Sequence, residues 1–375
     1  MSKRLLFNVN VAWFFLSHRL AVARAARDAG FDVHVAADVA SEEEVAAVLK
    51  EDLTFHRVHL SRGRMLPIRD LGYLAQLTSV MRHVKPDLVH NITAKPIVYG
   101  TMVARALGIA GIVNAVSGLG YSFSGGQERW LISRLVGSAY RFALRRPGIR
   151  VVFQNTDDIE AFVSARIIDP AQAILIRGSG VDLEAFALSS EPGGRPRVVL
   201  PARMLRDKGV VEFARAAELL RSRGIAATFL LAGMLDEANP AGLSKHELRQ
   251  LLHGTGVEWL GHVADMPTLL KSVHVVCLPS YREGLPKALI EACAAGRAIV
   301  ATDVPGCREV VNHELNGLLV RPRDTGALAD ALQRLLSDPT LRIKMGTAGR
   351  RKAEAEFDVA AVVRATLDVY RKILD

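Results

Sequence analysis

The chain has 375 residues, half of them hydrophobic and 23% charged. This composition excludes a disordered protein, and the length predicts two domains at about 150 residues each. The formal net charge is +9, and residues 51–150 alone hold 14 Lys and Arg against 5 Asp and Glu, so this stretch carries the excess. This excess of positive charge predicts a basic surface that binds nucleic acid, anionic lipid headgroups or a phosphorylated substrate. A basic surface without any binding partner is equally compatible with the charge.

The three cysteines lack metal-binding or redox spacing. They exclude a disulfide scaffold and indicate a reducing compartment. The amino terminus lacks a signal-peptide cleavage site, and no window of about 18 apolar residues occurs. We therefore expect neither a cleaved leader nor a transmembrane helix.

Strand and helix patterns alternate along the first 155 residues. Ser17 is predicted to cap the first helix, and Gly30 to end it. The alternation is typical of a parallel sheet with helices on both faces. The strand patterns lie at 3–15, 31–38, 53–60, 87–93, 112–118 and 149–155, and the helical patterns at 17–30, 41–51 and 71–84.

The segment 127–146 has the pattern of a basic amphipathic helix. Such a helix is typical of binding at a membrane surface, although an ordinary helix packed on its own domain has the same pattern. No helix-turn-helix, zinc-finger or RNA-binding signature accompanies it, which disfavours nucleic acid. The apolar face holds Leu131, Leu135 and Phe142, the neighbouring face Arg134, Arg141 and Arg145, and the amphipathic rings are Trp130 and Tyr140.

A polar stretch rich in Gly and Pro at 188–196 is the best candidate for a linker. Beyond it the alternation of strands and helices restarts and continues to the end of the chain. The sequence therefore predicts an α/β protein of two Rossmann-like domains, 1–187 and 188–358, with a terminal helix at about 359–375 that packs back on the first. Ligands of such folds bind at the carboxyl ends of the strands, in the cleft that the two domains face.

Two charged pairs in the second half carry the sharpest chemical signal. Arg203 and Lys208 follow a strand and precede a helix, with Gly209 beside them, an arrangement suited to a diphosphate. Glu283 and Glu291 bracket a turn, and eight helical residues would separate them by about 12 Å. That is too far for the two carboxylates of a retaining hydrolase, so we expect each to bind a different hydroxyl-bearing part of one ligand. Each pair alone is also compatible with a solvated surface.

These residues, with GSGVD at 178–182 and DVPGCREVV at 303–311, resemble the retaining GT-B glycosyltransferases of the family 4 type. A narrower resemblance lies in WFFLSHR at 13–19, HNITAKPIVYG at 90–100 and SGLGYSF at 117–123. These strings are similar to those of enzymes that extend undecaprenyl-diphosphate-linked sugars, such as N-acetylgalactosaminyltransferases of bacterial N-glycosylation and O-antigen transferases.

The resemblance implies a donor site for a UDP-sugar, with an N-acetylhexosamine or a related hexose as the sugar. Arg203 and Lys208 would hold the diphosphate and steady the leaving group. Glu291 would bind the ribose hydroxyls and Glu283 a hydroxyl of the donor sugar. Backbone N–H groups near Gly284 and Leu285 would complete the anion site. No divalent metal or other cofactor is expected, since two cations and a helix dipole offset the leaving diphosphate.

The first half would hold the acceptor, a polyprenyl-diphosphate-linked saccharide. His18 is expected at the first strand–helix turn, near the reacting groups. Ser17 is expected to make the contact to the donor phosphate that a Gly-Gly pair makes in many relatives. The candidate acceptor residues are His90, Thr93 and Lys95, expected after a strand, and Gly118 and Gly120. Lys95 is expected to meet a phosphate.

The basic helix is expected to hold the enzyme against the cytoplasmic face of the bacterial inner membrane, through Trp130, Arg134, Arg141 and Arg145, during assembly of O-antigen, capsule or N-glycan. Three alternatives stay open: a transferase with a soluble acceptor, a sugar-nucleotide epimerase, and a nucleotide-sugar-binding protein without catalysis. The Trp-bearing basic helix disfavours a soluble acceptor, and the spacing of Glu283 and Glu291 disfavours an epimerase. A protein without catalysis is disfavoured because all four charged residues of the second half are present: Arg203, Lys208, Glu283 and Glu291.

Overall fold

The computed structural model describes residues 2–60, 67–118, 130–237 and 239–375, with the backbone alone at 67–69 and 130–135. The chain divides into two compact units. The first comprises Met1–Ser179 and Ala360–Asp375, and the second comprises Gly180–Val359.

The first unit is built on a seven-stranded parallel sheet in the order β3-β2-β1-β4-β5-β6-β7. The strand order reverses between β1 and β4, so the carboxyl ends of these two strands form a topological switch point. The strands are β1 Arg4–Val11, β2 Asp32–Asp38, β3 Thr54–Arg57, β4 Leu88–Ile92, β5 Gly111–Val116, β6 Ile149–Phe153 and β7 Ala173–Leu175.

The helices of the first unit connect successive strands, as parallel pairing requires. A π-helix at Pro96–Gly100 leads directly into α5. Asn155 caps α7 by accepting a hydrogen bond from the Asp158 amide at 2.7 Å. The helices are α1 Ala12–His18, α2 Leu20–Asp28, α3 Glu42–Leu49, α4 Pro67–Val84, α5 Thr101–Ala106, α6 Trp130–Leu144 and α7 Thr156–Ser164.

The second unit has a six-stranded parallel sheet in the order β10-β9-β8-β11-β12-β13, with its switch point between β8 and β11. Its strands are runs of buried aliphatic residues, the pattern of a sheet covered on both faces. They are β8 Arg197–Pro201, β9 Thr228–Ala232, β10 Val257–Trp259, β11 Val275–Leu278, β12 Ala298–Thr302 and β13 Gly317–Val320.

Side-chain caps begin several helices of the second unit. Ser244 and Glu247 form a capping box at α9, and Asp324 and Asp338 cap α13 and α14. The helices are α8 Val210–Ser222, α9 Lys245–Leu252, α10 Met266–Lys271, α11 Lys287–Ala294, α12 Cys307–Val310, α13 Thr325–Ser337 and α14 Pro339–Glu356.

The last helix, α15 Val359–Leu374, belongs to the first unit from Ala360 onward. Its apolar face joins the core that β1 and β4 cover, and the Tyr370 ring lies fully buried there. The apolar pattern of this helix is thus satisfied by strands that lie far earlier in the chain.

Two predicted boundaries are wrong. The first unit ends at Ser179 rather than at residue 187, because the residues that follow are bonded to the second unit: the Val181 amide donates to the Phe357 carbonyl at 2.8 Å, and Arg350 donates to the Phe186 carbonyl at 2.9 Å. The polar stretch 188–196 is likewise bound to the second unit. Arg297 donates to the Ser189 carbonyl at 2.7 Å, and Arg342 makes a two-pronged pair with Glu191 at 2.9 Å. A polar, Pro- and Gly-rich composition therefore marks an ordered loop here.

The first predicted strand is also too long. The strand β1 ends at Val11, and residues 12–15 open α1, so Ser17 lies inside that helix and does not cap one. Arg19 takes the position between α1 and α2 instead. The aromatic residues of this segment suit a buried strand and a packed helix equally well, and sequence periodicity does not separate the two.

Within the described residues, we find no helix long and apolar enough to cross a membrane.

Candidate active site

Two loops meet at the switch point of the second sheet. One follows β8 and holds Arg203 and Lys208; the other follows β11 and holds Glu283. The Tyr281 amide donates to the Asp207 carbonyl at 2.9 Å, which joins the two loops. Gly209 has a φ of +72°, and a Cβ there would lie 2.2 Å from the Pro279 carbonyl oxygen. Only glycine allows this approach, so the loops sit closer together than side chains would permit.

Lys208 and Glu283 form an ion pair across these loops. The Lys208 Nζ lies 2.5 Å from the Glu283 Oε1, and their side chains are 23% and 10% exposed. A pair that is partly shielded from water keeps more of its attraction than a surface pair. Both side chains thus have a defined position at the carboxyl edge of the sheet.

Arg203 has a similar partner, which the sequence reasoning missed. Its Nη1 lies 2.5 Å from the Oδ2 of Asp236, whose side chain is only 5% exposed while that of Arg203 is 34% exposed. Asp236 follows β9 in a loop without a regular pattern, and the only signal available was its place after a strand end. The buried carboxylate orients the guanidinium of a more accessible arginine.

Glu291 lies on α11, in the helix interior. It is 7% exposed and its Oε1 lies 3.4 Å from the Lys287 Nζ one turn earlier. Burial raises the pKa of this carboxyl, and Lys287 opposes the shift. The helix begins only at Lys287, so residues 283–286 are not helical and the predicted 12 Å separation of the two glutamates has no basis.

Gly284 and Leu285 form the turn before α11, where the sequence predicted an anion site. Leu285 is buried, and Gly306 lies against the turn with a φ of +79°. A Cβ on Gly306 would lie 2.4 Å from the Gly284 carbonyl oxygen. The PGC turn at 305–307 therefore supports the loop of Glu283 by direct backbone packing.

In the first unit, Ser17 and His18 end α1. The His18 ring stacks on Phe14 with centroids 4.1 Å apart, and its Nδ1 is hydrogen-bonded to the Ser17 hydroxyl. Ser17 is exposed and His18 half-buried. The hydroxyl thus orients the imidazole. The prediction that Ser17 caps a helix is wrong, since Ser17 lies within α1, and its contact with the donor phosphate stays a prediction.

The predicted acceptor residues occupy different environments. His90 lies inside β4 rather than after it, is 2% exposed, and is hydrogen-bonded through Nδ1 to the Tyr370 hydroxyl at 2.5 Å. Burial holds the pKa of His90 well below its usual range. Thr93 does follow the strand, with a φ of +75°. The placement predicted for His90 is therefore wrong, and its role stays a prediction.

Lys95 lies in a buried ion pair. Its Nζ is 2.8 Å from the Asp70 Oδ1, the two side chains are 7% and 1% exposed, and the Tyr99 hydroxyl donates to the other Asp70 oxygen at 2.9 Å. The placement expected for Lys95, facing a ligand phosphate in the open cleft, is not the observed one. Gly118 has a φ of +101°, and Gly120 lies outside the described residues.

A row of asparagines crosses the first sheet beside this pair. Asn8, Asn91 and Asn114 are in register on β1, β4 and β5, and their amides are joined at 2.8 and 3.1 Å. A Cβ on Gly100 would lie 1.9 Å from the Asn91 Oδ1, so the π-helix presses its backbone onto the row. The sequence reasoning did not single out these asparagines, because one polar residue in a strand carries no periodic signal.

Comparison with known proteins decides the class. A sequence profile described as "Glycosyl transferases group 1" matches residues 195–338, and one described as "Glycosyl transferase 4-like" matches residues 4–156. Together they span β1–β6 of the first sheet, all of the second sheet and the four charged residues of the second unit. The chain belongs to the glycosyltransferases. Its two Rossmann-like units are those of the GT-B fold, as predicted.

Named relatives of this glycosyltransferase act on lipid-linked sugars. The N,N'-diacetylbacillosaminyl-diphospho-undecaprenol alpha-1,3-N-acetylgalactosaminyltransferase of Campylobacter jejuni is 26% identical, over 96% of this chain and 98% of that one. The UDP-Gal:alpha-D-GlcNAc-diphosphoundecaprenol alpha-1,3-galactosyltransferase of Escherichia coli is 25% identical, over 81% and 80%. The crystal structure of Anabaena HepE in complex with UDP-glucose has a TM-score of 0.75 at 17% identity, over 97% and 99%.

The basic helix α6 of the glycosyltransferase is only partly as predicted. Tyr140 is buried in the core, whereas Phe142, expected on the apolar face, is 62% exposed. The Arg141 guanidinium donates to the Ala165 carbonyl at 2.7 Å, and Arg145 lies 3.7 Å from Asp169. Phe142 therefore lies on the exposed side of α6 rather than on its buried face. Tyr140 and Ala143 occupy the core instead. The side chains of Trp130 and Arg134 lie outside the described residues.

Proposed function

We propose that this glycosyltransferase moves a sugar from a UDP-sugar to a polyprenyl-diphosphate-linked saccharide, with retention of the anomeric configuration. The single observation that carries the proposal is the pairing of both cations at the switch point of the second sheet. The names of the two relatives, which specify diphosphoundecaprenol acceptors and in one case UDP-Gal, support the lipid-linked acceptor and the uridine donor.

The donor diphosphate would lie between Arg203 and Lys208. Each cation is already oriented by a carboxylate, so little reorganisation is required when the phosphates arrive. As the glycosidic bond breaks, negative charge develops on the leaving diphosphate, and the same two cations stabilise it. A divalent metal is not required for this step, and we propose that the reaction proceeds without one.

Glu283 would bind a hydroxyl of the donor sugar, and Glu291 the ribose hydroxyls. Glu283 reaches the ligand from the loop that also fixes Lys208, so sugar recognition and phosphate binding are coupled through one ion pair. Glu291 is a buried acceptor whose charged form is disfavoured, and two donated hydroxyl hydrogen bonds would restore it.

Retention would follow attack on the same face from which the diphosphate leaves. The acceptor hydroxyl oxygen forms the new bond to the anomeric carbon as the bond to the diphosphate oxygen breaks, and a phosphate oxygen receives the hydroxyl proton. This path needs no protein nucleophile. A trapped glycosyl-enzyme in a mass spectrum would contradict it. His18, oriented by Ser17 and Phe14, is the candidate from the first unit for contact with the reacting groups.

The decisive experiment is nucleoside-diphosphate release from a panel of UDP-, GDP- and ADP-sugars in EDTA, with and without polyprenyl-diphosphate saccharides. We expect release from a UDP-sugar only when the lipid is present, and an α-configured product by NMR. Release that requires a divalent metal, a GDP- or ADP-sugar, or a water-soluble acceptor would overturn the corresponding part. UDP-sugar binding without release for any acceptor would favour a non-catalytic protein.

We further propose peripheral binding at the cytoplasmic face of the inner membrane through the exposed side of α6. Phe142 projects there, and the Arg105 guanidinium lies 5.5 Å from its ring centroid. An apolar ring beside several arginines is suited to an anionic lipid surface.

Phe142→Ser should reduce flotation with phosphatidylethanolamine and phosphatidylglycerol vesicles, whereas Ile343→Ser, at an equally exposed position of the second unit, should not. Equal flotation of both variants and the unmodified protein would contradict this surface.

A further inference from the structure

A small cavity lies inside the first unit, below the junction between α1 and α2. Its volume is about 10 Å³, which accommodates the centre of one water-sized particle. Aliphatic side chains form most of its wall, and the polar groups that reach it come from four separate elements of the unit. These polar groups belong to Arg19, His90, Gln154 and Thr366.

Arg19 brings a positive charge to this cavity. The residue is 5% exposed, and among the described residues its guanidinium makes one hydrogen bond, from Nη1 to the His18 carbonyl at 3.3 Å. The buried Nε has no partner, and no acidic side chain of the described residues pairs with the guanidinium. Burial lowers the pKa of Arg19 to about 10, so the group remains charged at neutral pH. An unpaired buried charge costs several kcal/mol.

His90 adds a second unsatisfied group. Its Nδ1 is hydrogen-bonded to the Tyr370 hydroxyl, and its buried Nε2 has no partner. Burial lowers the pKa of the imidazole, which favours its neutral form. In the tautomer in which the Tyr370 hydroxyl donates to Nδ1, the proton of the neutral ring lies on Nε2. Arg19 and His90 therefore both bring a donor without an acceptor to the same cavity.

The remaining polar groups do not supply an acceptor charge. Gln154 is neutral, and the Thr366 hydroxyl already donates to the Val362 carbonyl at 2.8 Å. The volume excludes phosphate or a carboxylate-bearing metabolite, since either needs more than one water-sized position. A halide ion is somewhat larger than water, so its binding requires the aliphatic wall of the cavity to move slightly outward. A water molecule would fit and accept hydrogen bonds, but it would leave the guanidinium charge uncompensated.

We propose that this cavity binds one halide-sized monovalent anion, chloride under cellular conditions. The anion would accept from the guanidinium of Arg19 and from the imidazole N–H of His90. It would join the α1–α2 junction, β4 and the last helix α15, which are distant in sequence. The site lies next to His18 and Ser17, so anion binding would also stabilise the segment proposed to contact the reacting groups. The inference concerns a site separate from the donor site and does not depend on the proposed reaction.

Bromide provides a direct test. Crystals of the full chain grown or soaked in bromide should show an anomalous peak inside the cavity, within hydrogen-bonding distance of Arg19 and His90. A peak only at exposed cations would overturn the proposal, because bromide that reaches the protein surface but not this cavity leaves water as the occupant.

Thermal unfolding gives a second test in solution. At constant ionic strength, replacing gluconate by chloride or bromide should raise the unfolding midpoint by about 2 °C or more, since a ligand that binds only the folded state stabilises it. Arg19→Met should abolish this halide dependence, and Arg24→Met, an exposed position on α2, should retain it. Equal halide dependence in all three proteins would overturn the proposal. Should Arg19→Met fail to fold, the bromide map still decides.

Discussion

The two units share one strand order, but the polar residues at their switch points differ in exposure to solvent. In the second unit, the carboxyl ends of β8 and β9 lead to Arg203 and Asp236, and the Lys208–Glu283 pair is also partly open to solvent. In the first unit, the switch-point strands β1 and β4, which correspond to β8 and β11, carry Asn8 and Asn91, which are fully buried and bonded to each other.

This difference shows how one fold serves two purposes. Charges that are oriented but reachable can exchange their partner for a ligand, which suits a site that binds and releases an anion. Amides that are buried and mutually satisfied fix the backbone around them, because leaving any of them unpaired is costly. In the proposed function, the second unit thus keeps its polar groups for a substrate, whereas the asparagines of the first unit hold its own backbone.

The largest expected effect tests the accessible charges. Lys208→Ala should lower turnover by about 100-fold or more, as the loss of one preorganised electrostatic donor does in other enzymes. Steady-state kinetics with a UDP-sugar and the lipid-linked acceptor would measure it. Arg206→Ala is the matched control, since Arg206 is on the same loop but half-exposed and paired with Glu247. Similar turnover for both variants would remove Lys208 from the mechanism.

The buried row is tested by Gly100→Ala. The added methyl group would meet Asn91 and Asn8 at 1.9 and 2.4 Å, so the π-helix must move. We expect the free energy of unfolding to fall by about 1–3 kcal/mol, as for other overpacked sites. Urea unfolding followed by circular dichroism would measure the change. Gly72→Ala, in the helix α4 with nothing within 4 Å of the new Cβ, should instead be neutral or stabilising. A loss of stability as large in Gly72→Ala would contradict the assignment.

The same contrast explains how far the sequence allows prediction. The alternation of strand and helix patterns was sufficient to predict two parallel sheets, because the periodicity and the length of each apolar run reflect the local backbone geometry. Cations and glycines placed after a strand were likewise sufficient for the loop of Arg203, Lys208 and Gly209. The α/β fold was thereby predicted correctly, whereas the enzyme class was predicted from the resemblance of the motifs to family 4 type glycosyltransferases.

Features that depend on contacts distant in sequence were not predictable in this way. Asp236 meets Arg203 across 33 residues, and Tyr370 meets His90 across 280. The sequence likewise gives no sign that Lys95 forms an ion pair with Asp70, 25 residues earlier. A single sequence without tertiary contacts does not say which polar residue satisfies which, so those placements required the structure.

Asp236→Asn should have a smaller effect than loss of a cation. The amide keeps the shape of the side chain but weakens its hold on Arg203, so the guanidinium is less well oriented for the diphosphate. We expect KM for the donor to rise about tenfold with a smaller change in kcat, because binding is affected before chemistry. Glu258→Gln, an exposed carboxylate on β10, is the control. A fall in kcat at unchanged KM would argue against a positioning role.

The smallest effect concerns the buried carboxyl of Glu291. Its pKa is raised on folding, so the folded state binds its proton more tightly than the unfolded state does. The contribution of this group is therefore favourable below its unfolded pKa and is lost as the pH rises through the folded pKa. Glu291→Gln should then increase the free energy of unfolding by about 1 kcal/mol or less at about pH 7.5, and by less at about pH 5.

The same substitution should weaken donor binding, because an amide is a poorer acceptor for ribose hydroxyls than a carboxylate. Stability and affinity would thus change in opposite directions, a sign that the buried charge is retained for the ligand rather than for the fold. Urea unfolding at the two pH values and isothermal titration with UDP would measure both. A variant that loses stability at the higher pH would show instead that the Lys287–Glu291 pair outweighs the burial of the carboxylate.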